Sequence, residues 1–503
     1  MAREEIALRM EDVVFRYQEN GKRNILDHVT LDVMAGTLTV LMGGSGCGKS
    51  TLAAVAAGLY PENGGCLLSG EIRLFGRPLG ELDQQQRASY LSVMFQNADL
   101  QFCMDTLRRE LRFCMENLCV PPREMDERLR RAAETMGAAE LLDRKLYTLS
   151  GGEKQRAALT CLYVLGSRCV VLDECFANID PDAVRSLLPM LRAMKREGRT
   201  VVAIDHRADL WLDDADEIIL LKSGAQTAAR GVTRANLPQY RAMFGELGLF
   251  YPGSCPREAA PLPRGESALT FRGVCIRAGA AQRRGRRDGP EPPLLLEHAD
   301  AEFPRGCMTA VLGASGSGKT TAFLAALGRH PYTGTIEING ADLRTIRRKA
   351  LCRQVGIVFQ NPGNQFITQN VTEEIRASLR IWNGGLDDAQ LAQRTQALLD
   401  GFQLGGCRRY SPYMLSQGQQ RRLAVLSVLC GGQKLLLLDE PTYGQDERSA
   451  MAILRQLRQK VEREGLTVVF ITHDRALAAA WADKLYLLRD RRFAELSPEE
   501  ALT

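Results

Sequence analysis

One glycine-rich motif occurs twice and constrains this chain more than any other feature. It reads GGSGCGKST at residues 43–51 and GASGSGKTT at residues 313–321. Both copies match G-x-x-x-x-G-K-[ST], in which backbone N–H groups surround phosphates, the lysine reaches the β- and γ-phosphate oxygens, and the hydroxyl binds Mg²⁺. Each copy follows an apolar run and precedes a helix-like segment, so the phosphates would lie at a helix N-terminus. Two copies predict two nucleoside triphosphate sites.

The rest of the chain repeats in the same order as the motif. Lys49 and Lys319 lie 270 positions apart. Gln96 and Gln360 lie 264 apart, which indicates a six-residue surplus in the first half near residues 61–69, expected as a surface-loop insertion. Three more pairs lie 266 apart and a fourth lies 267 apart: Ser150 and Ser416, Glu174 and Glu440, Asp180 and Asp446, and then His206 and His473.

This spacing indicates a duplicated domain rather than scattered motifs. We predict a first domain over residues 1–245, a Pro/Gly-rich linker over residues 246–267, and a second domain over residues 268–503. A further irregular stretch, residues 279–293, contains RRGRR and several prolines. Its basic run is expected to be a solvated loop rather than a nucleic-acid contact.

Each half is predicted to be an α/β domain with a small antiparallel part. Residues 7–17 and 25–33 look like two strands joined by a turn, ahead of the glycine-rich motif. Residues 169–172 and 200–204 are unbroken apolar runs, as a parallel strand buried on both faces needs. Residues 124–142 have apolar positions near helical spacing. Strands that alternate with helices indicate an α/β sheet with the chemistry at its carboxyl edge.

Composition excludes several other classes of protein. The formal net charge of +5 arises from 65 basic and 60 acidic residues, so no nucleic-acid-like excess of basic residues is present. The 14 cysteines show no C-x-x-C spacing and are best interpreted as reduced thiols. No apolar run is long enough to span a bilayer, which needs roughly 18 residues or more. Any membrane role would therefore depend on a partner.

Two more segments in each half narrow the class of nucleotide-binding protein. LSGGE at residues 149–153 precedes VVLDE at residues 170–174, and LSQGQ at residues 415–419 precedes LLLLDEPT, which ends at Thr442. These segments resemble the signature and Walker B motifs of the ATP-binding cassette (ABC) family, and the resemblance covers nearly the whole chain. It implies two tandem ABC ATPase domains, each with a P-loop core sheet, an antiparallel β subdomain and a helical signature subdomain.

The resemblance implies a role for each matching residue in binding and hydrolysing ATP with Mg²⁺. Glu174 and Glu440 would position and polarise the attacking water, and His206 and His473 would contact the γ-phosphate. The implied Mg²⁺ ligands are Ser50, Gln96, Asp173, Thr320, Gln360 and Asp439, and Asp180 and Asp446 match the family's D-loop. The implied nucleotide-binding residues are Tyr17, Gly43, Gly44, Ser45, Gly46, Cys47, Gly48, Lys49, Ser50, Thr51, Gly313, Ala314, Ser315, Gly316, Ser317, Gly318, Lys319, Thr320 and Thr321, with Ser150, Gly151, Gly152, Ser416, Gln417 and Gly418 from the signatures.

In this family each ATP lies between the P-loop of one domain and the signature of another. Internal pairing of the two domains and a homodimer both remain open. With internal pairing, site one joins Lys49 to the LSQGQ signature, and site two joins Lys319 to the intact LSGGE signature. Gln417 stands where the family usually has glycine, so we expect site two to hydrolyse ATP faster. Tyr17 matches the family's adenine-stacking aromatic residue, whereas Ala278 occupies the equivalent place in the second half.

The segments after the two glutamines indicate a subfamily. FQNADLQF follows at residues 95–102 and FQNPGNQF at residues 359–366. Both are similar to the FQNPxxQ segment of energy-coupling factor transporter ATPases, which import vitamins, cobalt or nickel. The resemblance implies a peripheral ATPase at the cytoplasmic face of the membrane, whose partners are a transmembrane coupling subunit and a substrate-capture membrane subunit. The alternatives are the fused ATPase of a sugar or peptide importer and a two-cassette ATPase that acts on ribosomes.

Overall fold

A computed structural model shows how the chain folds. It describes residues 5–19, 21, 23–95, 101–176, 181–252, 265–279, 291–382, 385–442 and 444–502, and for residues 181 and 182 it describes the backbone alone. The chain divides into two compact units whose boundary lies between Pro252 and Gly253. Gln96, Asp180 and most of the residues predicted as linker and as basic loop lie outside the described residues. The domain bounds at residues 245 and 268 stay a prediction.

The first unit contains ten strands and seven α-helices among its described residues. The strands are β1 (Ile6–Arg16), β2 (Leu26–Met34), β3 (Leu38–Gly43), β4 (Cys66–Leu74), β5 (Arg77–Pro78), β6 (Leu91–Met94), β7 (Cys169–Asp173), β8 (Thr200–Asp205), β9 (Glu217–Leu221) and β10 (Thr227–Val232). The helices are α1 (Lys49–Ala56), α2 (Gln84–Tyr90), α3 (Leu107–Asn117), α4 (Pro122–Thr135), α5 (Gly151–Leu165), α6 (Pro181–Arg196) and α7 (Arg241–Leu247).

Two sheets form the framework of this unit. The larger has the order β10-β9-β3-β8-β7-β6 and is parallel except for the β9–β10 pair. The smaller has the order β2-β1-β4-β5 and is antiparallel. Alternate residues of β3 enter opposite cores: Val40 packs with residues of α3 to α6, and Leu41 packs with α1 and the antiparallel sheet. Burial on both faces explains why β3, β7 and β8 are continuous apolar runs.

The second unit has the same plan. Its strands are β11 (Ser267–Arg277), β12 (Leu294–Pro304), β13 (Met308–Leu312), β14 (Thr333–Ile338), β15 (Ala341–Asp342), β16 (Val355–Val358), β17 (Leu435–Asp439), β18 (Thr467–Ile471), β19 (Lys484–Arg489) and β20 (Arg492–Leu496). Its helices are α8 (Lys319–Ala326), α9 (Arg348–Gln354), α10 (Val371–Trp382), α11 (Asp388–Gly401), α12 (Gln417–Leu429), α13 (Glu447–Glu464), α14 (Arg475–Trp481) and α15 (Pro498–Leu502). The sheet orders are β16-β17-β18-β13-β19-β20 and β12-β11-β14-β15.

The structure confirms the predicted fold class and corrects two details. The amphipathic run predicted for residues 124–142 forms α4 only as far as Thr135, because Gly137 follows with φ of 58° and ends the helix. The six-residue surplus of the first half is not only a loop, since β4 has nine residues where β14 has six. Among the described helices, none is long and apolar enough to cross a bilayer.

Candidate functional site

In both units the glycine-rich motif is a turn between a central strand and a helix. β3 leads into α1, and β13 leads into α8. The residue before each helix is a glycine in the left-handed region, with φ of 113° at Gly48 and 105° at Gly318. A Cβ at Gly48 would lie 2.8 Å from the carbonyl oxygen of Ile25, and one at Gly318 would lie 2.9 Å from the Cβ of Leu295. Both the turn geometry and the close packing therefore require glycine.

The motif's lysine folds back over its own loop in both units. Lys49 Nζ donates to the carbonyl oxygens of Gly43 and Gly44, at 2.7 and 3.1 Å. Lys319 Nζ donates to Gly313 and Ala314 in the same way, at 2.7 and 2.8 Å. Both lysines are nearly buried. The loop thus positions one ammonium group at the helix N-terminus, where a phosphate is favoured.

A hydroxyl and a carboxylate meet beside each loop. Ser50 Oγ donates to Asp173 Oδ1 at 3.0 Å, and Thr320 Oγ1 donates to Asp439 Oδ2 at 2.7 Å. Burial, and then the charge of Glu174, raise the pKa of Asp173 to about 6. Burial also raises the pKa of Asp439 to about 6, against the hydrogen bond from Thr320. An oxygen-only pair of this kind fits Mg²⁺, whose charge would also favour the ionised carboxylate.

In the first unit the glutamate that follows β7 is held by charge. His206 Nε2 lies 2.7 Å from Glu174 Oε1, and Lys49 Nζ lies 3.4 Å from the same oxygen. Burial opposes the charge on Glu174, but His206 and Lys49 outweigh it and lower the pKa to about 2. The other ring nitrogen of His206 lies 3.0 Å from the carbonyl oxygen of Gly43. Both ring nitrogens of His206 thus face oxygen atoms, one on the glycine-rich loop and one on Glu174.

The second unit arranges the equivalent pair differently. His473 approaches Glu440 through Nδ1, at 3.2 Å, rather than through Nε2. Both glutamates share one unusual feature, a left-handed backbone with φ of 49° at Glu174 and 53° at Glu440. This conformation is uncommon for residues other than glycine and clusters at functional sites. In each unit it turns the glutamate side chain toward the histidine that follows the neighbouring strand.

A buried carboxylate supports the histidine loop of the first unit. Asp205 Oδ1 accepts from the backbone N–H groups of His206 and Arg207, at 2.6 and 3.1 Å. Its Oδ2 accepts from Trp211 Nε1 at 2.9 Å, and the Trp211 ring stacks on Phe176 with centroids 5.5 Å apart. Burial raises the pKa of Asp205 above its usual range. Sequence reasoning missed this group, although the acidic residue before His206 was visible where the second half has Thr472.

The signature segments are helix starts. Ser150 is the N-cap of α5 and forms a capping box with Glu153, and Ser416 does the same for α12 with Gln419. The first and fourth residues of a capping box follow the pattern S-x-x-E/Q, so the sequence carried this signal. Gln417 is the first residue of α12, and Gly418 is buried. The second signature therefore places a side chain at the helix start where the first has Gly151.

In the segments that follow β6 and β16, the last glutamine forms a hydrogen bond with the backbone of the first phenylalanine. Gln101 and Gln365 accept from the backbone N–H groups of Phe95 and Phe359, at 3.2 and 3.3 Å. A buried glutamate holds the next turn: Glu374 accepts from the N–H groups of Ile367 and Thr368 at 3.0 and 2.8 Å, and Glu110 does the same in the first unit. The sequence showed these residues as a motif but not what they contact. Gln96 and Asp180 lie outside the described residues, and Asp446 directly precedes α13.

The predicted adenine residues also differ between the units. Tyr17 lies just after β1, is 49% exposed, and its hydroxyl is 2.7 Å from Thr51 Oγ1 at the start of α1. Its ring meets the ring of Tyr60 edge-on, with centroids 5.6 Å apart. Ala278 follows β11 at the matching place and has no ring to offer. The first unit therefore offers an aromatic ring at this position, where the second unit has Ala278.

Comparison with known proteins identifies the family. The ABC transporter family model matches residues 26–177 and 296–443, more than half of the chain. A putative HMP/thiamine import ATP-binding protein of Bacillus subtilis (strain 168) is 33% identical over 97% of this chain and 90% of its own length. A putative ABC transporter ATP-binding protein of Methanosarcina mazei is 30% identical over 98% of this chain and 90% of its own length.

A solved structure shows the same fold at lower identity. It is described as a model of ribosome-bound archaeal Pelota and ABCE1, with a TM-score of 0.68 and 19% identity over 98% of this chain and 79% of that one. The family match covers both glycine-rich motifs and both signatures, and it confirms the prediction that the chain binds and hydrolyses ATP. The chain belongs to the ABC transporter family, as an ATPase with two tandem cassettes that bind and hydrolyse ATP.

Proposed function

We propose that this ATPase is the energy-coupling subunit of an importer of the energy-coupling factor type, acting at the cytoplasmic face of a membrane. It would drive uptake of a micronutrient through a separate transmembrane coupling subunit and a substrate-capture subunit. ATPases of this family generally pair with membrane subunits, and a relative that matches nearly the whole chain is named for HMP/thiamine import. Thiamine and HMP are therefore the first cargo to test, ahead of cobalt or nickel ions.

The observation that carries the proposal is an exposed apolar cluster in the second unit. Ile367, Tyr413 and Met414 are 67%, 57% and 79% exposed. The Tyr413 ring lies edge-on to Phe366, with centroids 6.1 Å apart, and its hydroxyl donates to the Phe366 carbonyl oxygen at 3.4 Å. This cluster joins the FQNPGNQF turn to the residues just before the LSQGQ signature. Large apolar side chains grouped at the surface favour a protein partner.

The first unit carries a more polar version of the same surface. Its positions matching Ile367, Tyr413 and Met414 are Cys103, Tyr147 and Thr148, of which Tyr147 is 77% exposed. Two unequal surfaces suit an asymmetric pair of membrane contacts. In both units the buried glutamate Glu110 or Glu374 fixes the turn that carries the surface. A force on the turn would therefore be transmitted to the helix that carries the glutamate, α3 or α10.

We propose the residue roles in hydrolysis as follows. Lys49 and Lys319 balance the charge of the β- and γ-phosphates, and the glutamates Glu174 and Glu440 orient the attacking water. Mg²⁺ would stabilise charge on the phosphates when bound, held by Ser50, Asp173 and Gln96 in one cassette and by Thr320, Asp439 and Gln360 in the other. His206 and His473 would reach the γ-phosphate, and Ser150 and Ser416 would each complete the nucleotide site of an opposing cassette, in the same chain or in the partner chain of a homodimer. The cassettes correspond to residues 1–245 and 268–503, joined by residues 246–267.

Membrane coupling is tested by separating uptake from hydrolysis. The double variant Ile367→Asp, Met414→Asp places two charges in the proposed contact, where burying them would be costly. We expect thiamine uptake by cells to fall about tenfold or more, while ATP turnover of the purified chain stays within about twofold. Leu502→Asp is the matched control, because Leu502 is 62% exposed on α15. It should leave uptake unchanged.

Copurification from detergent-solubilised membranes identifies the partners. Small hydrophobic subunits that come with the wild-type chain and are lost with the double variant support the proposal. Copurifying ribosomes would contradict it and favour a ribosome-associated ATPase. Cells with the wild-type chain could instead take up a sugar or a peptide, and neither thiamine nor metal ions. That result would contradict the proposed class of cargo but not the role in import.

A further inference from the structure

We infer that Arg421 is a positioning residue for ATP hydrolysis in the second cassette, acting through Glu440 and Gln360. The inference rests on the proposed roles of those two residues, and nothing in the family motifs assigns Arg421 a part. Arg421 lies on α12, little more than one turn after Ser416 of the signature. Its side chain is directed into the unit and is 5% exposed.

The guanidinium group joins two backbone carbonyls that belong to different parts of the proposed site. Nη1 donates to the carbonyl oxygen of Glu440, and Nη2 donates to the carbonyl oxygen of Gln360 at 2.8 Å. The two carbonyls lie 80 positions apart in sequence, after β17 and after β16. The planar fork of an arginine suits two acceptors in this way, and a lysine could serve only one of them with comparable geometry.

The peptide of Glu440 needs such support. Its φ of 53° is a left-handed conformation, which costs free energy for a residue with a side chain. Its N–H donates to the carbonyl oxygen of Ile471 at 3.1 Å, so β18 holds one end of the residue. Arg421 holds the other end. With both ends fixed, the Glu440 carboxylate has less freedom to leave the direction of His473.

Two properties of Arg421 act together. It is buried, so its hydrogen bonds are shielded from water and stronger than those at a surface. It also sits on the same helix as the signature serine, so a shift of α12 would move the guanidinium group and both carbonyls with it.

The first cassette has a different residue at this position. Counting from the signature serines, Gln155 of α5 matches Arg421 of α12. Gln155 is also buried, but it is neutral and cannot offer two charged donors. Glutamine therefore occupies this position in one cassette and arginine in the other. This makes glutamine the natural substitution for testing Arg421.

The test is ATP turnover of Arg421→Gln, Arg421→Lys and Glu440→Gln in the otherwise unchanged chain. We expect Arg421→Gln to lower kcat by about 10- to 100-fold, as the loss of hydrogen bonds from a charged donor predicts. KM for ATP should stay within about threefold, because the hydrogen bonds described above join Arg421 to Glu440 and Gln360 rather than to the glycine-rich loop. Arg421→Lys keeps the charge and one donor, so its kcat should lie between those of Arg421→Gln and the wild type.

Arg422→Gln is the matched control for the loss of a buried arginine from α12. Arg422 is 8% exposed and donates to Ser449 Oγ at 3.0 Å. We expect it to lower Tm without lowering kcat per folded molecule. If Arg421→Gln and Arg422→Gln lower kcat and Tm together and to the same extent, Arg421 is only structural and the inference is overturned.

Glu440→Gln separates the two levels of the argument. Wild-type turnover in Glu440→Gln would overturn the proposed role of Glu440, and the inference with it. Turnover lost in Glu440→Gln but unchanged in Arg421→Gln would overturn the inference alone. A kcat that falls in the order wild type, Arg421→Lys, Arg421→Gln, with KM unchanged, supports both.

Discussion

The two cassettes hold their glutamates by different means. In the first, the carboxylate of Glu174 is fixed through its charge, by His206 at 2.7 Å and Lys49 at 3.4 Å. In the second, Glu440 meets His473 at 3.2 Å and its backbone carbonyl is held by Arg421. Duplicated domains of one fold can thus keep the same residue types at a site and still diverge in the contacts that position them. The glutamates and histidines are shared, and the difference lies in their neighbours.

The largest expected difference concerns the two lysines. Lys319→Ala should lower ATP turnover by about 100-fold or more, because the ammonium charge that faces the phosphates is lost. Lys49→Ala should lower it less, since we propose that the second cassette, which contains Lys319, hydrolyses ATP faster. Turnover at saturating ATP measures both. Lys434→Ala, which removes a lysine that donates to the Glu464 carbonyl oxygen, is the control and should leave turnover unchanged. A larger loss in Lys49→Ala would reverse the comparison.

The next largest effect is on stability as a function of pH. The folded pKa of Asp439, about 6, lies above the ordinary value. Protonation therefore stabilises the fold, and this stability is present at about pH 4 and lost as pH rises through about 6. In Mg²⁺- and nucleotide-free buffer, Asp439→Asn should unfold at higher temperature than the wild type at pH 8, by the equivalent of about 2 to 3 kcal/mol, and at a similar temperature near pH 4.

Thermal unfolding curves at several pH values check this expectation. Asp173→Asn should behave in the same way in the first cassette, where the folded pKa is also about 6. The exposed residue Asp490 supplies the control, since its side chain is 90% exposed and Asp490→Asn should not change the pH dependence. A gap between Asp439→Asn and the wild type that stays constant from pH 4 to pH 8 would contradict the account.

A smaller loss of stability is expected when the hydrogen bond that supports the His206 loop is removed. Trp211→Phe keeps the ring stack on Phe176 but removes the donor to Asp205 Oδ2. Loss of a bond to a buried charged group should cost about 1.5 to 3 kcal/mol of unfolding free energy. In the double variant Asp205→Thr, Trp211→Phe, the aspartate is replaced by threonine, the residue at the matching position 472 of the second unit. This variant should recover part of the lost stability. Denaturant unfolding of the single and double variants gives the coupling, and additive costs would mean that the pair does not interact.

The fold and the proposed site were predictable where local sequence determines geometry. The glycines of the two motifs, the apolar strands and the residues at their carboxyl ends are local signals, and the capping boxes of Ser150 and Ser416 were present in the sequence as well. The end of α4 at Gly137 could also have been found. The contacts of Arg421 and Trp211 could not, because they join residues distant in sequence through one side-chain conformation. The same holds for the choice of ring nitrogen in His206 and His473.

We propose above all that the two cassettes are unequal and that the second hydrolyses ATP faster. The most direct test is steady-state ATP turnover of Glu174→Gln and Glu440→Gln, each made alone and compared with the wild type. We predict that Glu440→Gln removes nearly all turnover and that Glu174→Gln keeps a substantial part of it. Turnover abolished by Glu174→Gln and spared by Glu440→Gln would contradict the claim.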